Sequence, residues 1–147
     1  METITLNTSN GFIKFYIKEV LGFPNETSHF GGYDIIGEIE IQCDNYIVKG
    51  GLNYSTGDIY DFYIQLNQIF NSLNGNAKFY SYEDQLSFFV NVDKKGHISI
   101  EGEYREDLVN ATKLIFELEC DQSYLKDSLI ELKMIADKYG DNEGIKK

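Results

Sequence analysis

The chain has 147 residues, the length of one ordinary domain. Thirteen lysines and arginines stand against twenty-four acids, a formal charge of −11. That balance excludes a reader of DNA or RNA phosphates, which needs clustered cations. Hydrophobic residues at 42 %, with eleven Tyr and ten Phe, supply a core and exclude intrinsic disorder.

The chain opens without a basic segment followed by an apolar run, so no secretory leader is expected. No stretch approaches the ~20 apolar residues of a membrane span. The expected location is the cytoplasm, and no membrane partner is expected. Cys43 and Cys120 lie in apolar, strand-like contexts and should be small buried thiols rather than a disulfide.

Residues 3–6 and 12–18 alternate as strands do. Phe12, Lys14, Tyr16 and Lys18 fall on one side, and Ile13, Phe15 and Ile17 on the other. Residues 19–32 break the pattern with Pro24, Asn25 and the Gly31-Gly32 pair, the longest predicted loop. Residues 34–42 and 46–52 read as a hairpin turning at Asp44-Asn45, whose side chains tolerate positive φ. Gly50-Gly51 inside the second strand signals a bulge or a close backbone approach.

Ile59, Phe62, Leu66, Ile69 and Leu73 step by three and four, which predicts a helix over about 57–73. Ser55 or Thr56 can cap it, Asp58 and Asp61 suit its positive first turn, and Asn74-Gly75 stops it. Strands follow at 77–80, 86–92, 97–104 and 113–120, with Asp93-Lys94-Lys95-Gly96 turning one hairpin. Asp121 caps a second helix over about 122–138, carried by Leu125, Ser128, Leu129, Leu132, Ile135 and Ala136, and Gly140 ends it. No internal repeat is evident. The expectation is one α+β domain over 1–140, a mostly antiparallel sheet of seven to eight strands with both helices packed on it. Residues 141–147 read as a flexible tail.

Chemistry is sparse. His29 sits in the loop and His97 opens a strand, and neither has a partner at metal-ligand spacing. No nucleophile elbow or phosphate loop is present, and neither cysteine has an adjacent histidine or cation. No cofactor, no metal and no enzyme activity are expected.

The acids are organised. Glu38 and Glu40, Glu101 and Glu103, and Glu117 and Glu119 are i, i+2 pairs, and on a strand each pair shares a face. The flanking Ile39, Ile41, Ile100, Gly102, Leu118 and Cys120 point to the opposite, buried side. Carboxylates on a rigid sheet can steer and dock a basic partner, and tyrosines such as Tyr33, Tyr46, Tyr54, Tyr60, Tyr63, Tyr80 and Tyr82 could anchor it. The alternative is an ordinary solvated face.

Several blocks resemble the bacterial wall-associated-protein immunity family of WapI type. They are Thr56-Gly57-Asp58-Ile59, Leu73-Asn74-Gly75-Asn76-Ala77, Ser81-Tyr82-Glu83-Asp84, Gly96-His97-Ile98 with Gly102, Leu114-Ile115-Phe116-Glu117 and Asp121-Gln122-Ser123-Tyr124-Leu125. The resemblance implies a non-enzymatic antidote that binds a contact-delivered toxin domain, often a nuclease, in the cytoplasm of the producing cell. The partner-binding candidates are Glu38, Glu40, Glu101, Glu103, Glu117 and Glu119, with Asp58 and Asp61 second. Two rivals remain open: a small-molecule or sensory module using the 19–32 loop as a lid, and a small hydrolase using carboxylates or His29. Oligomeric state is left open.

Overall fold

The computed structural model describes residues 1–145. Lys146 and Lys147, the end of the predicted tail, lie outside them. Eight strands and two helices form the α+β fold that the patterning predicts. The strands are β1 (Glu2–Asn7), β2 (Gly11–Val20), β3 (Asp34–Cys43), β4 (Tyr46–Ser55), β5 (Asn76–Tyr80), β6 (Leu86–Val92), β7 (His97–Tyr104) and β8 (Leu114–Asp121). Helix α1 (Thr56–Ser72) follows β4. Helix α2 (Leu125–Tyr139) follows β8 through a short 3₁₀ turn, Gln122–Tyr124. No helix among the described residues is long and apolar enough to cross a membrane.

The strands divide between two antiparallel sheets, in orders β1-β2-β3-β4 and β5-β6-β7-β8. Each half of the chain is therefore a four-stranded meander followed by a helix. The halves correspond position by position: Leu52, Ile59, Phe62, Leu66 and Ile69 are matched 66 residues later by Leu118, Leu125, Ser128, Leu132 and Ile135, and all are buried. Helix α1 lies along β5 of the second half, and α2 along β1 of the first, with the helices in contact. The sequence shows no such repeat because the two halves share burial pattern and not residue identity.

The inner faces of the sheets enclose one hydrophobic cluster. Phe15 of β2, Phe62 of α1, Phe79 of β5 and Phe88 of β6 meet at its centre. Phe15 lies 5.1 Å from Phe79 between ring centroids, and Phe62 lies 5.2 Å from Phe88, both edge to face. Burying each such ring contributes about 1.5–3 kcal/mol. Cys43 and Cys120 are buried free thiols, and burial pushes the Cys120 thiol up to about 11.

Local signals act where the sequence places them, with small shifts. Ser55 caps α1 in a capping box with Asp58. The left-handed cap falls on Leu73 (φ 52°), one residue before Asn74. Asp44 turns the β3–β4 hairpin at φ 55°. Gly50-Gly51 is a close approach and not a bulge: pairing with β3 is continuous, and a Cβ at Gly50 would lie 2.4 Å from the Glu106 carboxylate.

The 19–32 loop is fastened by aromatic contacts. Phe23 meets Tyr33 and Tyr139 edge to face, and Phe30 stacks on Tyr82 at 4.4 Å. Residues 141–145, expected to fray, form a turn that closes on this loop. The Gly32 N–H donates to Asn142 O at 2.7 Å, and the Ile145 N–H to the Tyr33 hydroxyl at 3.0 Å.

Candidate functional site

All six glutamates point outward, and the sandwich separates them onto two opposite faces. Glu38 and Glu40 lie on the outer face of the first sheet, and Glu101, Glu103, Glu117 and Glu119 on that of the second. One continuous acidic sheet face does not form, because the strands belong to two sheets that turn their backs to each other.

On the first sheet the carboxylates are compensated. A cross-strand row runs Thr5, Lys14, Glu40, Lys49, and the next runs Thr3, Tyr16, Glu38, Gly51. Lys18 pairs with Glu38, and this hydrogen-bonded ammonium holds the carboxyl below its usual range. The Tyr16 hydroxyl donates to Glu40 at 2.8 Å, which raises the Tyr16 pKa. Lys14 and Lys49 stand 5.1 and 5.2 Å from the Tyr16 ring centre. Lys18 is thus the ion-pair partner of Glu38, and Lys14 and Lys49 are the cross-strand neighbours of Glu40.

The second sheet is different. Its outer rows run Tyr80, Ser87, Glu103, Ile115; then Lys78, Phe89, Glu101, Glu117; then Asn76, Asn91, Ser99, Glu119. Glu103 pairs with Lys113 at 3.1 Å, and His97 stands 4.0 Å from Glu119. Glu101 and Glu117 are direct cross-strand partners, and neither is in an ion pair among the described residues. Beside them the face carries apolar surface. Tyr80 is half exposed and meets Phe89 edge to face at 5.9 Å, while Ile115 is 70 % exposed. Lys78 lies over the Phe89 ring at 5.7 Å.

Asp58 and Asp61 have intramolecular partners. The Asp58 N–H donates to Ser55 Oγ, and its carboxylate accepts from the Ser55 N–H, both at 3.0 Å. Burial, opposed by these hydrogen bonds, raises the Asp58 carboxyl to about 6. Asp61 is exposed and accepts from Asn142 at 2.9 Å. Of the proposed tyrosine anchors, Tyr33 and Tyr54 are wholly buried, whereas Tyr46 and Tyr80 are exposed. Sequence reasoning did not single out Phe89 and Ile115. Strand alternation places Phe89 opposite the buried Phe88, but an outward phenylalanine reads as core until both faces of its strand are known.

The sheet edges are occupied. On β1 the Thr5 N–H donates to Glu131 at 3.1 Å, and Ser128 Oγ donates to Thr5 O at 2.8 Å. Gln65 of α1 accepts from the Lys78 N–H of β5 at 3.0 Å and donates back to Lys78 O. On β4 the Gly51 N–H meets Glu106 at 2.7 Å, and the Asn53 N–H meets Gln85 at 3.0 Å. On β8 the Glu119 N–H donates to Asn10 Oδ1 at 2.9 Å. Side chains thus close these positions on all four edges to strand addition.

No group of three or more His, Cys, Asp or Glu side chains among the described residues is arranged to hold a metal ion. No curated protein and no solved structure matches the chain. A family model, the immunity protein WapI-like family, matches residues 4–140. That match spans both meanders and both helices, so the chain belongs to the WapI-like immunity protein family.

Proposed function

We propose that this immunity protein neutralises its toxin by laying the outer face of the second sheet over a basic surface of the toxin domain, that of a nuclease. It does so in the cytoplasm of the producing cell and makes or breaks no bond. The observation that carries this reading is the pair Glu101 and Glu117, in no ion pair among the described residues, on a face that also carries the exposed Tyr80 and Ile115 and the half-buried Phe89. Like charges placed directly opposite each other cost the fold stability. A basic partner turns that cost into attraction and speeds encounter. Apolar side chains set among charges on one face give a partner anchoring points. The first sheet lacks this character, since Glu38 is paired with Lys18 and Glu40 has a lysine, not a like charge, opposite it on either side.

The test is co-purification with a candidate toxin domain sought in the reading frame upstream of this one, and rescue of cells expressing that domain. The double variant Glu101→Lys with Glu117→Lys should slow association and reduce its dependence on salt. An unchanged association rate and unchanged rescue would overturn the assignment of the face.

A further inference from the structure

The inner face of β4 is only half covered. Even-numbered residues of this strand point into the sandwich, and Leu52 and Tyr54 are buried there. Towards the hairpin the same side emerges: Val48 is half-buried and Tyr46 is 70 % exposed. The second sheet ends here at the pair Tyr104 of β7 and Leu114 of β8, and the loop of residues 105–113 between them borders the rest, leaving a cleft of about 340 Å³ walled by Tyr46, Val48, Tyr104 and Leu114. Its volume is within the range of built ligand sites, and its walls are mainly apolar.

A second cleft opens on the other side of that loop. Tyr80, Ser87, Glu103 and Leu108 line it, and Arg105 lines both clefts. Tyr80, Ser87 and Glu103 are one row of the second sheet's outer face. Only the loop therefore separates the apolar cleft from the row next to Glu101 and Glu117. Its rim adds Glu106 and Asp107, whose carboxylates are held by the N–H groups of Gly51 and Val109. Lys113, also on the rim, is engaged by Glu103.

We propose that this cleft is the socket for one apolar side chain of the toxin domain, presented among cationic residues that meet the acidic face. This rests on the reading of the face given above. Charge selects the occupant. A second copy of a chain carrying −11 would bring like charge against Glu101 and Glu117, whereas a basic toxin brings the opposite. The two parts of the surface should act on different rates. Steering charges set association, and a desolvated anchor in its socket sets dissociation.

The experiment measures association and dissociation rates of the full chain with the toxin domain that co-purifies with it. Tyr46→Ser removes one wall, and Thr112→Trp plugs the mouth from an exposed position. Each should speed dissociation about tenfold or more, with association unchanged and the melting temperature of the free chain unmoved. If both variants dissociate at the parent rate, the socket is overturned while the face can stand. If they speed dissociation but Glu101→Lys with Glu117→Lys leaves association and its salt dependence unchanged, the face falls and the socket survives. If the free chain sediments as a dimer that Thr112→Trp dissociates, the occupant is a second copy and the proposal is overturned.

Discussion

Glu101 on β7 and Glu117 on β8 are direct cross-strand partners, and among the described residues neither is in an ion pair. Replacing one glutamate by lysine converts a repulsive pair into an attractive one. Glu101→Lys should therefore stabilise the free protein by about 0.2–1 kcal/mol. The same change should weaken toxin binding and slow association most at low salt. Chemical denaturation and association kinetics on one variant check both signs. A variant that gains stability and keeps full binding would show that the pair is an ordinary solvated one.

Asp58 makes stability depend on pH. Its carboxyl titrates near 6 in the folded chain against an ordinary 3.8, because burial opposes the charge. The folded state therefore holds the proton more tightly than the unfolded state. The contribution is full below about pH 4, is lost as pH rises towards 6, and stays lost above it. A shift of about two units is worth on the order of 2 kcal/mol once partial exposure is discounted. Asp58→Asn keeps an oxygen for the Ser55 N–H and removes the ionised form. Denaturation curves from pH 4 to 7.5 should show the variant flatter over that window and more stable at 7.5. An unchanged slope would place the titration elsewhere.

Phe88 sits among Phe15, Phe62 and Phe79, with ring centroids 5.2–6.4 Å away. Its neighbours come from both sheets and α1, so no single element can move to fill the space. Phe88→Ala should cost about 3–5 kcal/mol, read as a lowered denaturation midpoint. Phe88→Leu should cost much less.

Secondary structure was legible because nearly every element carries a period that one face of it satisfies. The alternation Ile35, Ile39, Ile41 and the stripe Ile59, Phe62, Leu66, Ile69 locate β3 and α1 without help from tertiary structure. How the strands divide between sheets was not legible. A period of two says that a strand has an inside, and it does not say which other strand supplies that inside. The duplication was hidden for the same reason: Phe62 is matched by Ser128 and Tyr54 by Cys120, alike in burial and unlike in chemistry. For the candidate site, alternation gave the outward direction of all six glutamates. It could not show that Lys14, Lys18 and Lys49 would collect around Glu38 and Glu40 while Glu101 and Glu117 faced each other with no ion-pair partner among the described residues. Cross-strand register decides that, and a shift of two residues would have kept every face and changed every pair. Gly102, read as part of a family block, has a packing reason: a Cβ there would lie 2.5 Å from Phe88 Cβ.

Gln85 ties the two halves together at the edge of β4. Its carbonyl accepts from the Asn53 N–H, and its amide donates to Glu106 O at 3.0 Å, which sets the Glu106 backbone next to the carboxylate that reaches the Gly51 N–H. Gln85 is 9 % exposed, so water replaces these contacts poorly. Gln85→Ala should cost about 1–3 kcal/mol for polar groups left without partners. It should also unmask Asn53 and Gly51 as a strand edge, which favours self-association. Denaturation midpoints and light scattering against concentration measure the two effects. The edge lies away from Glu101 and Glu117 but sets Glu106 on the rim of the cleft, so association of the folded monomer with the toxin should hold while dissociation speeds up. A variant that loses the midpoint without any rise in scattering would show that the cap serves stability alone.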